Sequence, residues 1–536
     1  MTAKYINETT PQLNTKKKQS SIDYVVTIPV IGILIALCLF LLLDVERSEK
    51  VIKSVLIWIE FELGWLYIIT MIGTSILAIW LAFGRFAHVK LCAPGEQAQF
   101  SVASWFCMIF MTTMAASIMV WGFVEPSYYY TSPPHGLEPF SDEAYVWSLT
   151  QTMFHWSPVA YSIYVPFSVT LAYFIHVRKK DVFRVSQACS VAIGEKNANG
   201  WVGKVIDILI LFGVIGGMST SFGLAVPVVL EGVGRVTGID ADSTGLLIGL
   251  MAAWLLVFGI SLYRGLDGGM KLISSFTAVV GVTFVGLLFL LGDSVFALKM
   301  GINSLGQMLQ NLISMTTFMD PISKTGFVES WTVFYWAWYT GFAAAVGLFI
   351  AKISRGRTIR EVVFGSTVAI SAGVYIIQIT FGSYTIDQQI SGVLDVAASI
   401  TSIGTSATVL EIVETLPFGG FMVAMHAILL FAFVVTSLDA TAFTCANLSS
   451  IRLKSDDEPA VNSKLTWAVI LMLLTGTLTI IGGLSAVQVS SLIVSVPLVF
   501  IAGILVVSLI KMLNEDFPVT DDKFIYVDYK TKSEEK

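Results

Sequence analysis

Uncharged stretches long enough to cross a membrane recur along almost the whole chain. A helix needs about 20 residues to cross the roughly 30 Å hydrocarbon core of a bilayer, where helices satisfy their own backbone hydrogen bonds. Such stretches lie at 24–43, 64–84, 101–124, 146–175, 208–230, 243–263, 272–292, 331–351, 362–386 and 416–447, and two more fit into the charge-free run 465–510, with a turn at 480–490. The sequence therefore predicts an all-α polytopic membrane protein with twelve transmembrane helices.

The positions of lysine and arginine orient these spans. If the N terminus is cytoplasmic, all but six of the 32 basic residues fall in cytoplasmic segments. The six on the outer side are Arg47, Lys50, Lys53, Arg235, Lys299 and Lys324. Cytoplasmic loops of membrane proteins carry such an excess of positive charge. We therefore predict a multi-pass protein of the cytoplasmic (inner) membrane with both termini in the cytoplasm.

Composition and motifs exclude several classes of protein. With 55% hydrophobic and only 13% charged residues, the chain lies outside the range of soluble proteins. Its histidines and cysteines lack metal-ligand spacing, and no nucleotide-binding loop or GxSxG motif is present. The net charge of −6 and the confinement of basic residues to short loops argue against nucleic-acid binding. A secondary transporter, a channel and a membrane-embedded enzyme remain.

The eighth predicted span begins with the aromatic run "WTVFYWAWYTGF" at 331–342. Aromatic residues that face lipid usually lie at the water interface, whereas Trp338, Tyr339 and Phe342 lie two to three turns inside this span. We therefore expect these rings to face the protein interior. The small residues of "GFAAAVG" at 341–347 would let another helix approach closely.

A second aromatic cluster lies in the fourth span, in "FHWSPVAYSIY" at 154–164. Trp156, Tyr161 and Tyr164 flank Pro158, which should kink the helix. Two facing aromatic helices can form a box that holds a quaternary ammonium cation by cation–π attraction. The alternative is ordinary aromatic packing between two helices.

These segments resemble the betaine/carnitine/choline transporter family. "FYWAWYTGF" with "ISRGRTIRE" is similar to the family's span-8 signature, and "FHWSPVAYSIY" to its aromatic segment in span 4. "WGFVEPSYYYTSPPHGLEP" at 121–139 is similar to the end of span 3 in carnitine-type members. The resemblance implies a transporter rather than an enzyme, a homotrimer, and an inverted-repeat core of spans 3–7 and 8–12 behind two accessory helices. It also implies a small onium substrate such as carnitine, glycine betaine, γ-butyrobetaine or choline.

The same resemblance assigns residues to the substrate site. The positions that match the family's substrate contacts are Trp156, Tyr161, Tyr164, Trp338, Tyr339, Phe342 and Tyr128. The family usually has Trp where this chain has Tyr161 and Tyr339, and often Trp or Tyr at the position of Phe342. Smaller ring faces imply a roomier or more polar pocket.

Coupling is predicted from an ionisable residue inside span 10. Asp439 follows Thr436 and Ser437, whose hydroxyls could bind a hard cation or could bond back to their own helix. By the resemblance, Thr436 and Ser437 would bind sodium together with Phe433, Met111 and Met114. We thus expect sodium-coupled import, with sodium as the candidate coupling ion and no other cofactor.

A sodium-independent exchanger is the main alternative. "TTMAAS" at 112–117 is more like the carnitine exchangers than like the glycine-rich span 3 of sodium-coupled members. Those exchangers replace the cation with an Arg near the start of span 6 and a Met in span 8, but Asp240 or Ala241 and Val346 occupy the matching positions here. An onium sensor or channel on the same fold is the alternative from another class.

The predicted organisation follows these spans. It comprises a cytoplasmic tail at 1–22, two accessory helices at 23–96, a first five-helix repeat at 97–296, an extracellular interfacial helix and loop at 297–328, a second repeat at 329–512 and a tail at 513–536. In the cytoplasmic loop after span 8, Arg355 and Arg357 are either orientation anchors that contact lipid headgroups or parts of a cytoplasmic gate.

Overall fold

The computed structural model describes residues 22–113, 116–180, 184–265, 271–451, 459–481 and 483–518. Over these residues the chain is helical, and its β pairing is limited to two isolated bridges, Ile22 with Ser450 and Lys90 with Thr358. The helices are α1 (Tyr24–Leu43), α2 (Val45–Phe83), α3 (Val102–Thr113), α4 (Ile118–Thr131), α5 (Asp142–His155), α6 (Pro158–Tyr161), α7 (Tyr164–Ala172), α8 (Val185–Ala188), α9 (Ser190–Ile193), α10 (Glu195–Asn199), α11 (Trp201–Thr237), α12 (Thr244–Gly265), α13 (Lys271–Leu291), α14 (Ser294–Thr317), α15 (Phe334–Ile353), α16 (Ile359–Phe364), α17 (Ile370–Ser391), α18 (Val396–Ile403), α19 (Thr405–Glu414), α20 (Gly419–Leu448), α21 (Val461–Ile481) and α22 (Gly483–Asp516). Short π-helical turns lie at Tyr173–Val177, Val328–Val333 and Gly365–Ala369.

Eleven candidate membrane spans lie within the described part of the chain. They correspond to eleven of the twelve predicted spans, which confirms an all-α polytopic membrane protein. The remaining predicted span, 101–124, is covered by α3 and α4, which lie on either side of positions 114–115, outside the described residues. α4 continues to Thr131, seven residues beyond the predicted end of that span.

Two predicted boundaries differ from the structure. The second span was predicted at 64–84, but α2 begins at Val45, and ion pairs of Lys50 with Glu46 (2.7 Å) and Lys53 with Glu49 (2.6 Å) support its first turns. The predicted turn at 480–490 does contain the boundary between two helices, but it is shorter than predicted, because α21 ends at Ile481 and α22 is already helical from Gly483. After Gly483 no further glycine or proline occurs until Pro497, so nothing local interrupts the helix.

Span 4 is the most enclosed part of the bundle. In the most apolar 18 residues of Asp142–Val177, 94% of the residues are buried, compared with 28% in the corresponding stretches of α1, α12 and α13. The span is broken where α5 ends at His155 and α6 starts at Pro158. Proline has no backbone N–H to donate to the preceding turn, so it is accommodated at the first position of a new helix.

Glycines bring spans 4 and 8 into close contact. A Cβ atom on Gly347 of α15 would lie 2.4 Å from Cβ of Phe167 in α7, so only glycine permits this approach. On another side of α15, a Cβ atom on Gly341 would lie 3.3 Å from the carbonyl oxygen of Gly213 in α11. The helix α15 is therefore held between α7 and α11, with its aromatic start next to the break in span 4.

The segment predicted as an interfacial helix at 297–316 is helical in the structure, as α14. Its N terminus is capped by Asp293, whose carboxylate accepts a hydrogen bond from the backbone N–H of Phe296 (2.9 Å). α14 packs on α5 and α17, while Ile302 and Ile313 stay exposed. This pattern of one packed and one exposed apolar face is compatible with a helix at a membrane surface.

Candidate functional site

Six of the predicted substrate contacts lie together, with four rings around Tyr339, and with Phe342 joined to them through Trp338. The ring of Tyr339 is 5.8 Å from that of Trp156, 5.1 Å from Tyr161 and 6.4 Å from Tyr164, measured between centroids. On its own helix it lies 6.1 Å from Trp338, with the two rings nearly parallel. We call Trp156, Tyr161, Tyr164, Trp338, Tyr339 and Phe342 the aromatic cluster.

Trp338 completes the connection between the two spans. Its ring lies 6.0 Å from Trp156 and 6.3 Å from Phe342, and its indole N–H donates to the carbonyl oxygen of Gly217 in α11 (3.1 Å). All members of the cluster are at most 5% exposed except the half-buried Phe342. The side chains that the sequence placed on separate helices thus form one buried aromatic surface.

Tyr128 lies in a neighbouring group of rings. Its ring is 5.9 Å from Trp121 and 5.0 Å from Trp331, and its hydroxyl is 2.6 Å from that of Thr405. The structure therefore places Tyr128 beside the aromatic cluster rather than among the rings that surround Tyr339. Tyr129, the next residue, contacts Trp331 as well, at 5.1 Å.

A buried carboxylate, which the sequence interpretation missed, supports Trp156. Glu125 of α4 is fully buried and accepts hydrogen bonds from the indole N–H of Trp156 and the hydroxyl of Tyr129, both at 2.9 Å. The predicted span 3 ends at residue 124, one residue before Glu125. Because α4 runs to Thr131, Glu125 lies inside the helix. Glu125 is the one charged residue in the run from Val102 to Ser132, and this is the sequence signal that could have identified it as a buried functional residue.

His155 extends this polar group towards span 8. Its Nδ1 lies 2.8 Å from the Tyr129 hydroxyl and 3.6 Å from the Glu125 carboxylate. Its Nε2 lies 3.0 Å from the hydroxyl of Thr332 and 3.3 Å from the amide nitrogen of Gln151. We call Glu125, Tyr129, Gln151, His155, Trp156 and Thr332 the Glu125 network.

Three hydroxyls in or next to the aromatic cluster are buried but unpaired. Among the described residues, the hydroxyls of Ser157, Tyr335 and Tyr339 have no hydrogen-bond partner. The ring of Tyr335 lies 5.7 Å from Trp156, and Ser157 is the next residue in the chain. Buried polar groups are normally hydrogen-bonded, so these hydroxyls are available to water or to a polar group of a ligand.

The predicted sodium ligands are described only in part. The Thr436 hydroxyl donates to the carbonyl oxygen of Phe433 (3.0 Å), which is the back-bonded alternative raised from the sequence. Thr436 and Ser437 are partly buried on α20, and the Ser437 carbonyl accepts from Thr441 (2.7 Å). Met111 belongs to α3 but its side chain is not described, and Met114 lies outside the described residues.

Asp439 is buried on the same helix. It is 6% exposed, and its carboxylate accepts a long hydrogen bond (3.5 Å) from Ser261 of α12. The structure thus places the carboxylate at a contact between α20 and α12.

Arg355 belongs to a cluster of charges at the loop ends of spans 4 and 8. Glu96, in the loop after α2, pairs with Lys179 (3.1 Å) and Arg355 (3.0 Å). Partial burial raises the pKa of the Glu96 carboxyl, but hydrogen bonds from Lys179 and Arg355 outweigh this effect and hold the pKa below its usual value. We call Glu96, Lys179 and Arg355 the Glu96 clamp.

Arg357 has a different environment from Arg355. It is 5% exposed, donates to the carbonyl oxygen of Phe100 (2.7 Å) and lies 5.1 Å from the ring of Trp105. Backbone hydrogen bonds from Leu91 to Arg357 (2.8 Å) and from Ile359 to Val89 (2.9 Å) join the two loops around it. Arg357 therefore fixes one loop to the other, whereas Arg355 is accessible at the surface.

The fold and this buried site define a multi-pass membrane protein with an intramembrane aromatic site. The chain matches the model of the BCCT family, betaine/carnitine/choline family transporter, over residues 25–518, and it belongs to this family. It is therefore a membrane transporter and not an enzyme. A solved structure of a Na+-coupled sialic acid symporter, in a substrate-bound outward-open state, is similar at 12% identity with a TM-score of 0.40, covering 85% of this chain and 86% of that one.

Proposed function

We propose that this transporter moves a quaternary ammonium compound across the cytoplasmic membrane by alternating access, with the onium head bound at the aromatic cluster. The observation that carries the proposal is the convergence of six rings from the broken span 4 and from α15 on one buried surface. Carnitine, glycine betaine, γ-butyrobetaine and choline share the required head group. A homotrimer is part of the same proposal, since it follows from the family.

The chemistry of the cluster suits a permanent cation. A quaternary ammonium group cannot donate hydrogen bonds, so ring faces replace its hydration through cation–π attraction, worth about 2 kcal/mol when desolvated. The nearby carboxylate of Glu125 contributes negative potential through the indole of Trp156, whose N–H it accepts (2.9 Å). The unpaired hydroxyls of Ser157, Tyr335 and Tyr339 could bind the polar end of the same molecule.

We propose sodium-coupled import as the mode of transport. The adjacent hydroxyls of Thr436 and Ser437 on α20, both partly buried, support it. The hydrogen bond that Thr436 donates to its own helix (3.0 Å) leaves its oxygen lone pairs free for a cation, so it is compatible both with symport and with the alternative, a sodium-independent exchanger. In the sodium-coupled mode, Asp439 would contribute to coupling through its contact with α12. The Glu96 clamp, with Arg357 beside it, would close the cytoplasmic side.

Uptake into proteoliposomes distinguishes these possibilities. Radiolabelled carnitine, glycine betaine and choline are offered with and without an inward sodium gradient, and with and without unlabelled substrate inside. Accumulation driven by the gradient supports symport, and accumulation that requires internal substrate supports exchange. Saturable binding without uptake would instead favour a sensor, and non-stoichiometric flux a channel. If none of the onium compounds binds, the proposed substrate class is wrong.

Ser437→Ala tests the sodium assignment directly. We expect the sodium concentration for half-maximal uptake to rise several-fold, because one oxygen ligand is lost, while maximal uptake at saturating sodium changes little. Ser402→Ala is a matched control, because Ser402 is an exposed helical serine of α18 whose hydroxyl donates to its own helix (2.9 Å). An unchanged sodium dependence in Ser437→Ala would remove this residue from the coupling site.

A further inference from the structure

The Glu125 network contains ionisable groups whose protonation plays no part in the proposed transport cycle. We propose that Glu125 is a proton-binding site whose occupancy competes with the onium substrate at the aromatic cluster. The proposal rests on the proposed function for its substrate, and it adds a second ligand, the proton. The geometry of the hydrogen bonds carries it.

Tyr129 joins two groups with a single hydroxyl proton. Its oxygen lies 2.9 Å from a Glu125 carboxylate oxygen and 2.8 Å from Nδ1 of His155. When Glu125 is ionised, Tyr129 donates to the carboxylate, and His155 must then carry its proton on Nδ1 and donate to Tyr129. Nε2 of His155 in turn accepts from the hydroxyl of Thr332, 3.0 Å away.

Adding one proton to Glu125 reverses each hydrogen bond in the series Glu125–Tyr129–His155–Thr332. The protonated carboxyl donates to the oxygen of Tyr129, Tyr129 donates to Nδ1 of His155, and the imidazole proton moves to Nε2, which donates to Thr332. The incoming proton is the only atom gained, and His155 is neutral in both arrangements. Both arrangements pair the polar atoms of Glu125, Tyr129, His155 and Thr332. The amide nitrogen of Gln151 faces Nε2 of His155 (3.3 Å), so in the protonated arrangement this amide must turn its oxygen, which is buried and unpaired in the structure, towards Nε2. With that rotation the network can hold either zero or one added proton.

Burial makes the charge of this network sensitive to its neighbours. Glu125 and His155 are both fully buried, and a carboxylate inside a membrane protein is costly unless a positive charge lies nearby. The titratable groups that face Glu125 are Tyr129 on its own helix, His155 on α5 and Tyr335 on α15, with the cluster tyrosines Tyr161 and Tyr339 farther away. Trp156 and Gln378 of α17, which are uncharged, also lie next to Glu125.

Trp156 connects this network to the substrate site. Its N–H donates to Glu125 (2.9 Å), and its ring lies 5.8 Å from Tyr339 in the aromatic cluster. A permanent cation on the cluster therefore lies about one indole away from the carboxylate and favours its ionised form. Substrate binding should release the proton, and by reciprocity protonation should weaken substrate binding.

The first measurement is infrared difference spectroscopy of the full-length protein in nanodiscs, titrated from about pH 5 to 9 without any substrate. We expect the C=O stretch of protonated carboxylic acids to decrease with rising pH in the wild type, and one component of this decrease to be missing in Glu125→Gln. Glu60→Gln is the matched control, because Glu60 of α2 is also a buried carboxyl, 4% exposed, but lies outside the Glu125 network. Glu60→Gln should keep the component that Glu125→Gln loses.

The second measurement adds choline and glycine betaine as onium probes in weakly buffered solution. Wild type and Glu60→Gln should release protons on binding, and their affinity should rise by up to about tenfold per pH unit across the titration. Glu125→Gln should bind the probes with an affinity independent of pH and release none. Should Glu125→Gln fail to fold, Tyr129→Phe serves instead. Loss of the Tyr129 hydroxyl removes a donor to the carboxylate, so the infrared component of the protonated Glu125 carboxyl should disappear at a higher pH than in the wild type.

These results separate the two proposals. A Glu125-dependent band without binding of either probe would keep the proton site and overturn both the proposed substrate class and the competition. Probe binding with no proton release, or release that persists in Glu125→Gln, would overturn the competition alone. A carboxyl that stays in one protonation state over the whole range would overturn the proton site.

Discussion

The aromatic cluster and the Glu96 clamp connect spans 4 and 8 at two different depths. In the cluster the contacts are rings of Trp156, Tyr161 and Tyr164 against rings of α15, and nearly all are buried. In the clamp, Lys179 after span 4 and Arg355 after span 8 share one carboxylate, and their side chains are 57% and 46% exposed. The same two spans are therefore joined by buried apolar contacts at one level and by exposed charges at the other.

This difference indicates which contact can open easily. Ring packing in a buried site cannot be replaced by water, whereas exposed ion pairs are screened by salt and contribute about 0.2–1 kcal/mol each. The loops after α2 and α15 are also joined by backbone hydrogen bonds, such as Gly356 to Leu91 (2.9 Å), which do not involve the clamp charges. We therefore expect the cluster to set substrate affinity and the clamp to adjust how readily the cytoplasmic side opens.

Trp338→Ala should have the largest effect. It removes a ring face next to Trp156 and the hydrogen bond to Gly217, so we expect onium affinity and uptake to fall at least about 30-fold, equivalent to about 2 kcal/mol. Trp58→Ala is the matched control, because Trp58 of α2 is 59% exposed. Size-exclusion chromatography should show both variants folded. Normal uptake by Trp338→Ala would remove the cluster from the substrate site.

Gly347→Ala tests the close approach that holds the cluster together. The new Cβ atom would lie 2.4 Å from Cβ of Phe167, so α7 and α15 must separate, with a cost of about 1–3 kcal/mol. We expect a lower melting temperature and weaker onium binding. Gly249→Ala in α12 is the control, because a Cβ atom there meets no atom within 4 Å and alanine favours a helix. Equal stability of the two variants would contradict the packing described for spans 4 and 8.

Glu96→Gln should have the smallest effect. Loss of the clamp charge should change the transport rate only a few-fold at low salt, because each exposed pair is weak, and high salt should reduce the difference from wild type. Glu195→Gln is the control, since Glu195 is an exposed acid near Lys180, 3.7 Å away, outside the clamp. A large loss of substrate affinity in Glu96→Gln would show that the two levels are not separate.

The pH dependence of the clamp follows from the lowered pKa of Glu96. A carboxyl whose pKa is lowered in the folded protein contributes its stabilisation above its ordinary pKa of about 4.3 and loses it as the pH falls through the lowered value. The clamp is consequently intact at neutral pH. Any change in transport between about pH 6 and 8 should therefore persist in Glu96→Gln, which makes this variant useful in separating the clamp from the Glu125 network.

Much of the architecture could be predicted because membrane insertion leaves a strong mark on sequence. Eleven of the twelve spans were located by length and apolarity, since each must cover the hydrocarbon core. The aromatic cluster could be proposed because Pro158 and the ring positions within span 8 are local features. The ends of α2 and α4 could not be placed, because both helices continue into sequence that no longer resembles a span.

The sequence by itself determined the class of the protein, its family and the residue types of the aromatic cluster. Only the tertiary structure decided that Glu125 and His155, on different helices, share the hydroxyl of Tyr129, and that Tyr128 lies beside the cluster rather than in it. Apolar length is a property of each segment alone, whereas a hydrogen bond between helices depends on how three segments are rotated and spaced. No local pattern encodes those rotations, so the polar network next to the aromatic cluster emerged only from the packing of α4, α5 and the π-helical turn Val328–Val333.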